Sequence, residues 1–112
     1  MEKEVVVPYV YVAVRSDLTT AQKLVQAAHA SQQSGAKFGC PDNCHMVVFE
    51  VRDGSELDKF CETAHLSHIK YALFFEPDGD LGNTAACTEP ILGDLKVRFR
   101  RFQLLGCEPV SN

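Results

Sequence analysis

The stretch that most constrains the fold is residues 5–14, VVVPYVYVAV. β-Branched and aromatic side chains fill nearly every position, so no polar face is left for water. Such a run predicts a strand buried on both faces, the central strand of a sheet. Pro8 lacks the N–H for a ladder bond, which places the regular strand at Val10–Val14. Arg15-Ser16-Asp17-Leu18 is the exit loop, and residues 19–38, TTAQKLVQAAHASQQSGAKF, read as a helix with its body at Thr20–Ala36. Thr19 or Thr20 can cap it, and its Ala-rich interior favours helix. Leu24, Ala27, Ala28 and Ser31 make a small-residue face suited to packing on the sheet. Gln22, Gln26, His29 and Gln33 form a polar stripe at i, i+4, i+7 and i+11, whose plainest reading is a solvated face. Gly35 and Gly39 are placed to end the helix, and Cys40-Pro41-Asp42-Asn43 is a turn.

HMVVFEV (45–51) predicts a second strand, and Asp53-Gly54 a turn. In SELDKFCETAHL, Ser55 stands three residues before Asp58, close to a capping box, with Leu57, Phe60, Cys61 and Ala64 at helical spacing. IKYALFFE (69–76) is a third strand, PDGDLGN a loop, and TAACTEP (84–90) a shorter fourth strand. Residues 91–100 fit a helix or an irregular segment equally, and FQLLG (102–106) fits a last short strand. The order β-α-β-α-β-β gives a single α/β domain over 1–112, a sandwich built on a mixed sheet.

With 112 residues, the chain has the length for one core and not two. No apolar run approaches the roughly 18 residues of a membrane span, and MEKEVVV has no apolar signal core, so a soluble, cytoplasmic protein with no membrane partner is expected. The formal charge of −4 argues against a strong, sequence-independent grip on nucleic acid, and no DNA partner is expected. Five cysteines, Cys40, Cys44, Cys61, Cys87 and Cys107, are an odd count in a chain with ample core, which points to free thiols in a reducing compartment. Cys40, Cys44 and His45 lack a second pair at zinc spacing, since His65 and His68 stand at HxxH across an acidic, helix-like stretch. No metal and no cofactor are expected.

There is no Walker loop, GxGxxG, nucleophile elbow or HExxH. What remains is the polar stripe after strand one and the loop PDGDLGNT, with Asp78, Asp80 and Thr84, after strand three. Ligands of α/β sheets bind at the carboxyl ends of strands. If strands one and three are adjacent and parallel, Asp80, Thr84, Gln26 and Gln22 converge on one cleft. An acidic, Gly-rich loop also has the plainer reading of a turn.

The runs VAVRSDL…AQKLVQAAHAS and FFEPDGDLGNTAACTEP resemble the type 2 peptidyl-tRNA hydrolases, the archaeal and eukaryotic class, and their bacterial relatives. The resemblance is collinear over residues 9–105. It implies a three-layer α/β sandwich, a four-stranded mixed sheet flanked by helices on both faces. It also implies a homodimer and metal-independent cleavage of the ester between a peptidyl group and the terminal ribose of tRNA. Asp80-Leu81-Gly82-Asn83-Thr84 fits the family's Asp-x-Gly-x-Thr loop, and its helix glutamine and histidine fall on Gln26 and His29. The family carries Lys-Gly-Lys at the helix start, and here those lysine positions hold Thr20 and Gln22. Lys23 stands about 100° around the helix from Gln22 and cannot replace it.

The resemblance thus implies catalysis by Asp80, Thr84 and Gln26, with Gln22, Thr20, His29 and Gly82 binding substrate at the tRNA 3′ end. Asp80 would orient or deprotonate a water, and Thr84 and Gln26 would hold the carbonyl or ribose. Backbone N–H groups around Gly82 would face the oxyanion. His29 reads more readily as a packing residue than as the base. Without the lysines, the alternative is a non-catalytic descendant that binds a partner protein, an RNA end or a nucleotide.

Overall fold

The computed structural model describes residues 7–92 and 98–106. The start of the apolar run at 5–6, positions 93–97 of the undecided 91–100 segment, and Cys107 lie outside the described residues. The apolar run becomes strand β1 (Tyr9–Arg15), in which Val10–Val14 are all buried, as a strand covered on both faces requires. Strands β2 (His45–Val51), β3 (Tyr71–Glu76), β4 (Gly82–Thr88) and β5 (Gln103–Leu104) complete a mixed sheet ordered β3-β4-β1-β2-β5, with β1 in the middle. β2 lies parallel to β1, while β4 runs antiparallel to both β1 and β3. Among the described residues the sheet therefore has five strands, not the four the resemblance implies. The extra strand forms because Gln103 and Leu104 pair antiparallel with Glu50 and Phe49, and Leu105 N–H donates to Val48 O at 2.9 Å. This engages backbone groups along an edge that would otherwise be unpaired.

Among the described residues, two α-helices, α1 (Thr20–Phe38) and α2 (Gly54–Leu66), join the strands. Thr19 caps α1 through a reciprocal capping box with Gln22, and Gly39 ends it at a φ of 88°. Gly35 is interior, its carbonyl taking the Gly39 N–H at 2.9 Å. Asp53, rather than Ser55, caps α2, accepting from Glu56 N at 3.0 Å. At the third strand the ladder begins at Tyr71, because Ile69 N–H instead bonds Ala64 O at the end of α2. No helix among the described residues is long and apolar enough to cross a membrane.

The alternation of β1 sorts the core into two clusters. Val10, Val12 and Val14 pack with Ala30 of α1 and with Ala85 and Cys87. Tyr11 and Ala13 pack with Leu57, Phe60, Cys61 and Ala64 of α2 and with Phe49, Phe99 and Phe102. The face by which α1 meets the sheet differs from the expected one. Ala27 packs against the core as expected and Ser31 is half-buried, but Leu24 is 65% exposed and Ala28 is exposed, and the buried residues of α1 are Gln26, Ala30 and Ser34. The stripe read as solvated thus borders the buried face: Gln26 is inside, and the His29 ring stacks on Phe74 at 4.6 Å.

Candidate functional site

β1 and β3 run in the same direction but are not neighbours, because β4 lies between them and antiparallel to both. Their carboxyl ends still share one edge of the sheet, together with the start of β4 and the first turns of α1. A cleft of about 430 Å³ opens there, lined by Ala21, Gln22, Val25, Gln26, Glu76, Asp78, Gly79 and Leu81.

A chain of three polar side chains runs from the core to this cleft. Thr84 Oγ1 donates to Gln26 Oε1 at 2.5 Å, and Gln26 Nε2 donates to Glu76 Oε1 at 2.9 Å. Thr84 is fully buried and Gln26 is 3% exposed, so each depends on the other to satisfy its polar atoms. A bulge produces this geometry. Phe74 pairs with Ala85 and Phe75 with Asn83, so Thr84 is an extra residue on β4. Strict alternation would put Thr84 and Ala85 on opposite sides of the sheet. With the bulge, Thr84 bonds α1 while Ala85 packs in the cluster that contains Ala30.

The other expected site residues are distributed around this chain. Gln22 lines the cleft, but its Oε1 accepts from Thr19 N at 2.9 Å as half of the capping box. Thr20 is exposed at the first helical position. His29, one turn beyond Gln26, faces Phe74 rather than the cleft lining. Gly82 opens β4 at a φ of 72°, a left-handed conformation that glycine adopts without strain. Asp80 is exposed, sits at a φ of 55°, and is not part of the cleft lining. Lys23 reaches towards Glu50 at 3.5 Å, away from Gln22.

Two residues passed over in the sequence shape the site. Asp78, named in the sequence, lines the cleft, but the carboxylate bonded to Gln26 is Glu76; its signal was its place as the last residue of a strand, directly before the acidic loop. Arg15, at the end of β1, donates to Leu81 O at 2.6 Å and Asn83 O at 3.1 Å, tying the loop to the central strand. Its other guanidinium nitrogens bond Asp17 at 2.9 and 2.8 Å. The paired guanidinium holds the Asp17 carboxyl below its usual range, and Asp17 in turn raises the Arg15 pKa. Among the described residues, no group of three or more His, Cys, Asp or Glu side chains is placed to hold a metal ion. Cys40, Cys44, Cys61 and Cys87 are free thiols. Searched against protein-family models and against curated proteins, the chain matches none.

Proposed function

We propose that this chain is a peptidyl-tRNA hydrolase-like protein, a cytoplasmic three-layer sandwich that cleaves the ester between a peptidyl or aminoacyl group and the tRNA 3′ end without a metal or cofactor. The observation that carries this reading is the Thr84–Gln26–Glu76 chain ending in a cleft. Ester hydrolysis at neutral pH needs a carboxylate or imidazole held in a fixed orientation beside a water. Gln26 fixes one Glu76 oxygen and leaves the other for that water, while Thr84 fixes the Gln26 amide so that its nitrogen faces Glu76. Thr84 and Gln26, both buried, then act as positioning residues for Glu76. Asp80, Thr20 and Gly82 stand around the cleft as contacts for the ribose and phosphates of the tRNA end. The substrate's acyl group lies against Val25 and Leu81, the apolar part of the lining. A homodimer is the expected assembly.

A second reading is favoured by one observation: Gln22 stands where the resemblance places a lysine, and its side chain is engaged in the helix cap. A neutral, engaged amide gives a developing oxyanion less than a cation does. On this reading the cleft binds an RNA end, a nucleotide or a partner protein and turns nothing over.

A release assay on peptidyl-tRNA separates the two. Glu76→Gln removes the base and is expected to lower the rate by about 10²–10⁴-fold. Asp80→Asn keeps the loop and tests the carboxylate outside the lining; loss of all activity there with Glu76→Gln unaffected would move the base to Asp80. Gln22→Lys gives up the capping contact but sets a cation at the cleft and is expected to raise the rate. If Gln22→Lys binds tRNA more tightly and no variant releases peptide, the binding reading replaces the hydrolase.

A further inference from the structure

A second depression, of about 570 Å³, lies at the opposite end of α1, where α1 and α2 finish and β3 begins. Its lining brings together Lys37, His65, His68 and Lys70 with the rings of Phe38 and Tyr71. All four basic side chains are exposed, both rings are half-buried, and none of the four carries an ion pair among the described residues. In a chain of formal charge −4, four unpaired basic side chains around one concavity are an uneven distribution of charge.

Helix ends explain part of this grouping. Lys37 and His65 stand in the last turns of α1 and α2, where a cation complements the terminal carbonyls. His68 and Lys70 lie beyond both helices, so that explanation does not reach them. His68 follows the Ser67 C-cap at a φ of 58°, the left-handed position that glycine fills without strain. The chain places an imidazole there instead. Two carboxylates stand nearby: Asp58 of α2 acts on Tyr71, and Glu89 Oε2 accepts from the Lys70 backbone N–H at 2.7 Å, not from the ammonium. On the inner side of the depression, the Tyr71 hydroxyl faces the buried Cys61 thiol.

Two ammonium groups and two imidazoles can converge donors on an oxyanion, and two aromatic rings can pack against a flat heterocycle. The volume lies within the range of small-molecule sites. We propose that this basin binds a nucleotide, its phosphate held by Lys37, Lys70 and the two histidines and its base resting against Phe38 or Tyr71. The inference does not rest on the hydrolase reading, since the two sites share no residue. The nucleotide can be free or one unit of an RNA chain, and the two sources bind through the same chemistry.

The test follows the His65 and His68 ring-proton resonances by NMR while inorganic phosphate, 5′-AMP or a short oligoribonucleotide is added to the full chain. AMP is expected to shift both histidines saturably and more tightly than phosphate. Lys37→Gln and Lys70→Glu, both at exposed positions, are each expected to weaken AMP binding by about tenfold while the melting temperature stays within a few degrees of the parent. Tighter binding of the oligonucleotide than of AMP identifies an RNA chain as the source; equal binding identifies the free nucleotide. Phosphate binding as tightly as AMP would overturn the nucleotide assignment. Shifts that never saturate, or that survive both lysine substitutions, would overturn the site itself.

Discussion

The two buried clusters that meet at β1 are built from different materials. On the α2 side, Tyr11, Phe49, Phe60, Phe99 and Phe102 form a linked set of rings, with Phe60 5.0 Å from Phe99 and 5.4 Å from Phe102. On the α1 side the buried side chains are mostly small, Ala30, Ala85, Cys87 and three valines with Leu18 as the larger member and Phe74 packed at the border, and the buried polar residues Gln26, Ser34 and Thr84 all reach across between α1 and the strands. Large rings remove much apolar surface from water and so hold the fold. Small residues let a helix lie close to the sheet, which brings Gln26 within hydrogen-bonding distance of both Thr84 and Glu76. The candidate cleft lies on the α1 side, where the apolar contribution is smaller and the polar geometry more demanding.

The largest effect should come from the aromatic cluster. Phe60→Ala removes a fully buried ring from among three others and is expected to cost about 3–5 kcal/mol, read as a lowered urea midpoint. A cost under about 1 kcal/mol, the range of surface changes, would show that the rings do not hold the fold as the comparison requires.

Intermediate effects are expected on the α1 side. Ala30→Leu should overpack the approach of α1 to β1 and cost about 1–3 kcal/mol, whereas Ala28→Leu, on the exposed side, should leave the melting temperature nearly unchanged. Thr84→Val keeps the shape but leaves the Gln26 carbonyl buried without its donor, at a cost of about 1–3 kcal/mol. Because Thr84 and Gln26 satisfy each other, Thr84→Val combined with Gln26→Leu should cost less than the two single changes added together. Strict additivity would show that the bond contributes nothing to the fold.

These contrasts also mark what could be read from the chain alone. The central strand was legible because a run without polar positions has one packing solution, and β2 was legible from its own β-rich run, His45–Val51. The face of α1 was not: Ala28 and Gln26 differ in hydropathy in the direction opposite to their burial, because Thr84 and Glu76 supply the partners that let a glutamine go inside. That pairing depends on the bulge at Thr84, and a single extra residue in a strand leaves no mark in an alternation pattern. Glu76 was missed for the same reason, since its role appears only once Gln26 is turned towards the sheet. The basic basin joins residues from the ends of three elements, and only the folded chain brings Lys37 beside His68.

A smaller effect concerns pH. Burial pushes the Cys61 and Cys87 thiols up to about 11, against an ordinary value of 9.0. A raised folded-state value means that the unfolded chain loses its protons first. The stability tied to each thiol is therefore complete below pH 9 and is lost as the pH climbs towards 11. Urea midpoints should fall across that window in the parent and fall less in Cys61→Ala or Cys87→Ala; an unchanged slope in both would show that neither thiol is held away from solvent.

The smallest expected difference compares the clusters directly, because each contains one of these thiols: Cys61 among the rings, Cys87 beside Ala85 and Val12. Two variants, each keeping a single buried thiol and carrying serine at Cys40, Cys44 and Cys107 and alanine at the other buried cysteine, isolate them. Once a cluster opens, either residue is an ordinary exposed cysteine of the same intrinsic reactivity towards a thiol reagent, so the labelling rate reports how often each cluster opens. If the polar, small-residue side opens without unfolding the rings, Cys87 should label faster than Cys61, with a weaker dependence on low concentrations of urea. A difference of about 1 kcal/mol in opening free energy makes the rates differ by about fivefold. Equal rates with the full urea dependence of global unfolding would mean that the clusters open as one unit. The cleft would then sit on a framework as firm as the aromatic side, and small side chains would serve the approach of α1 alone.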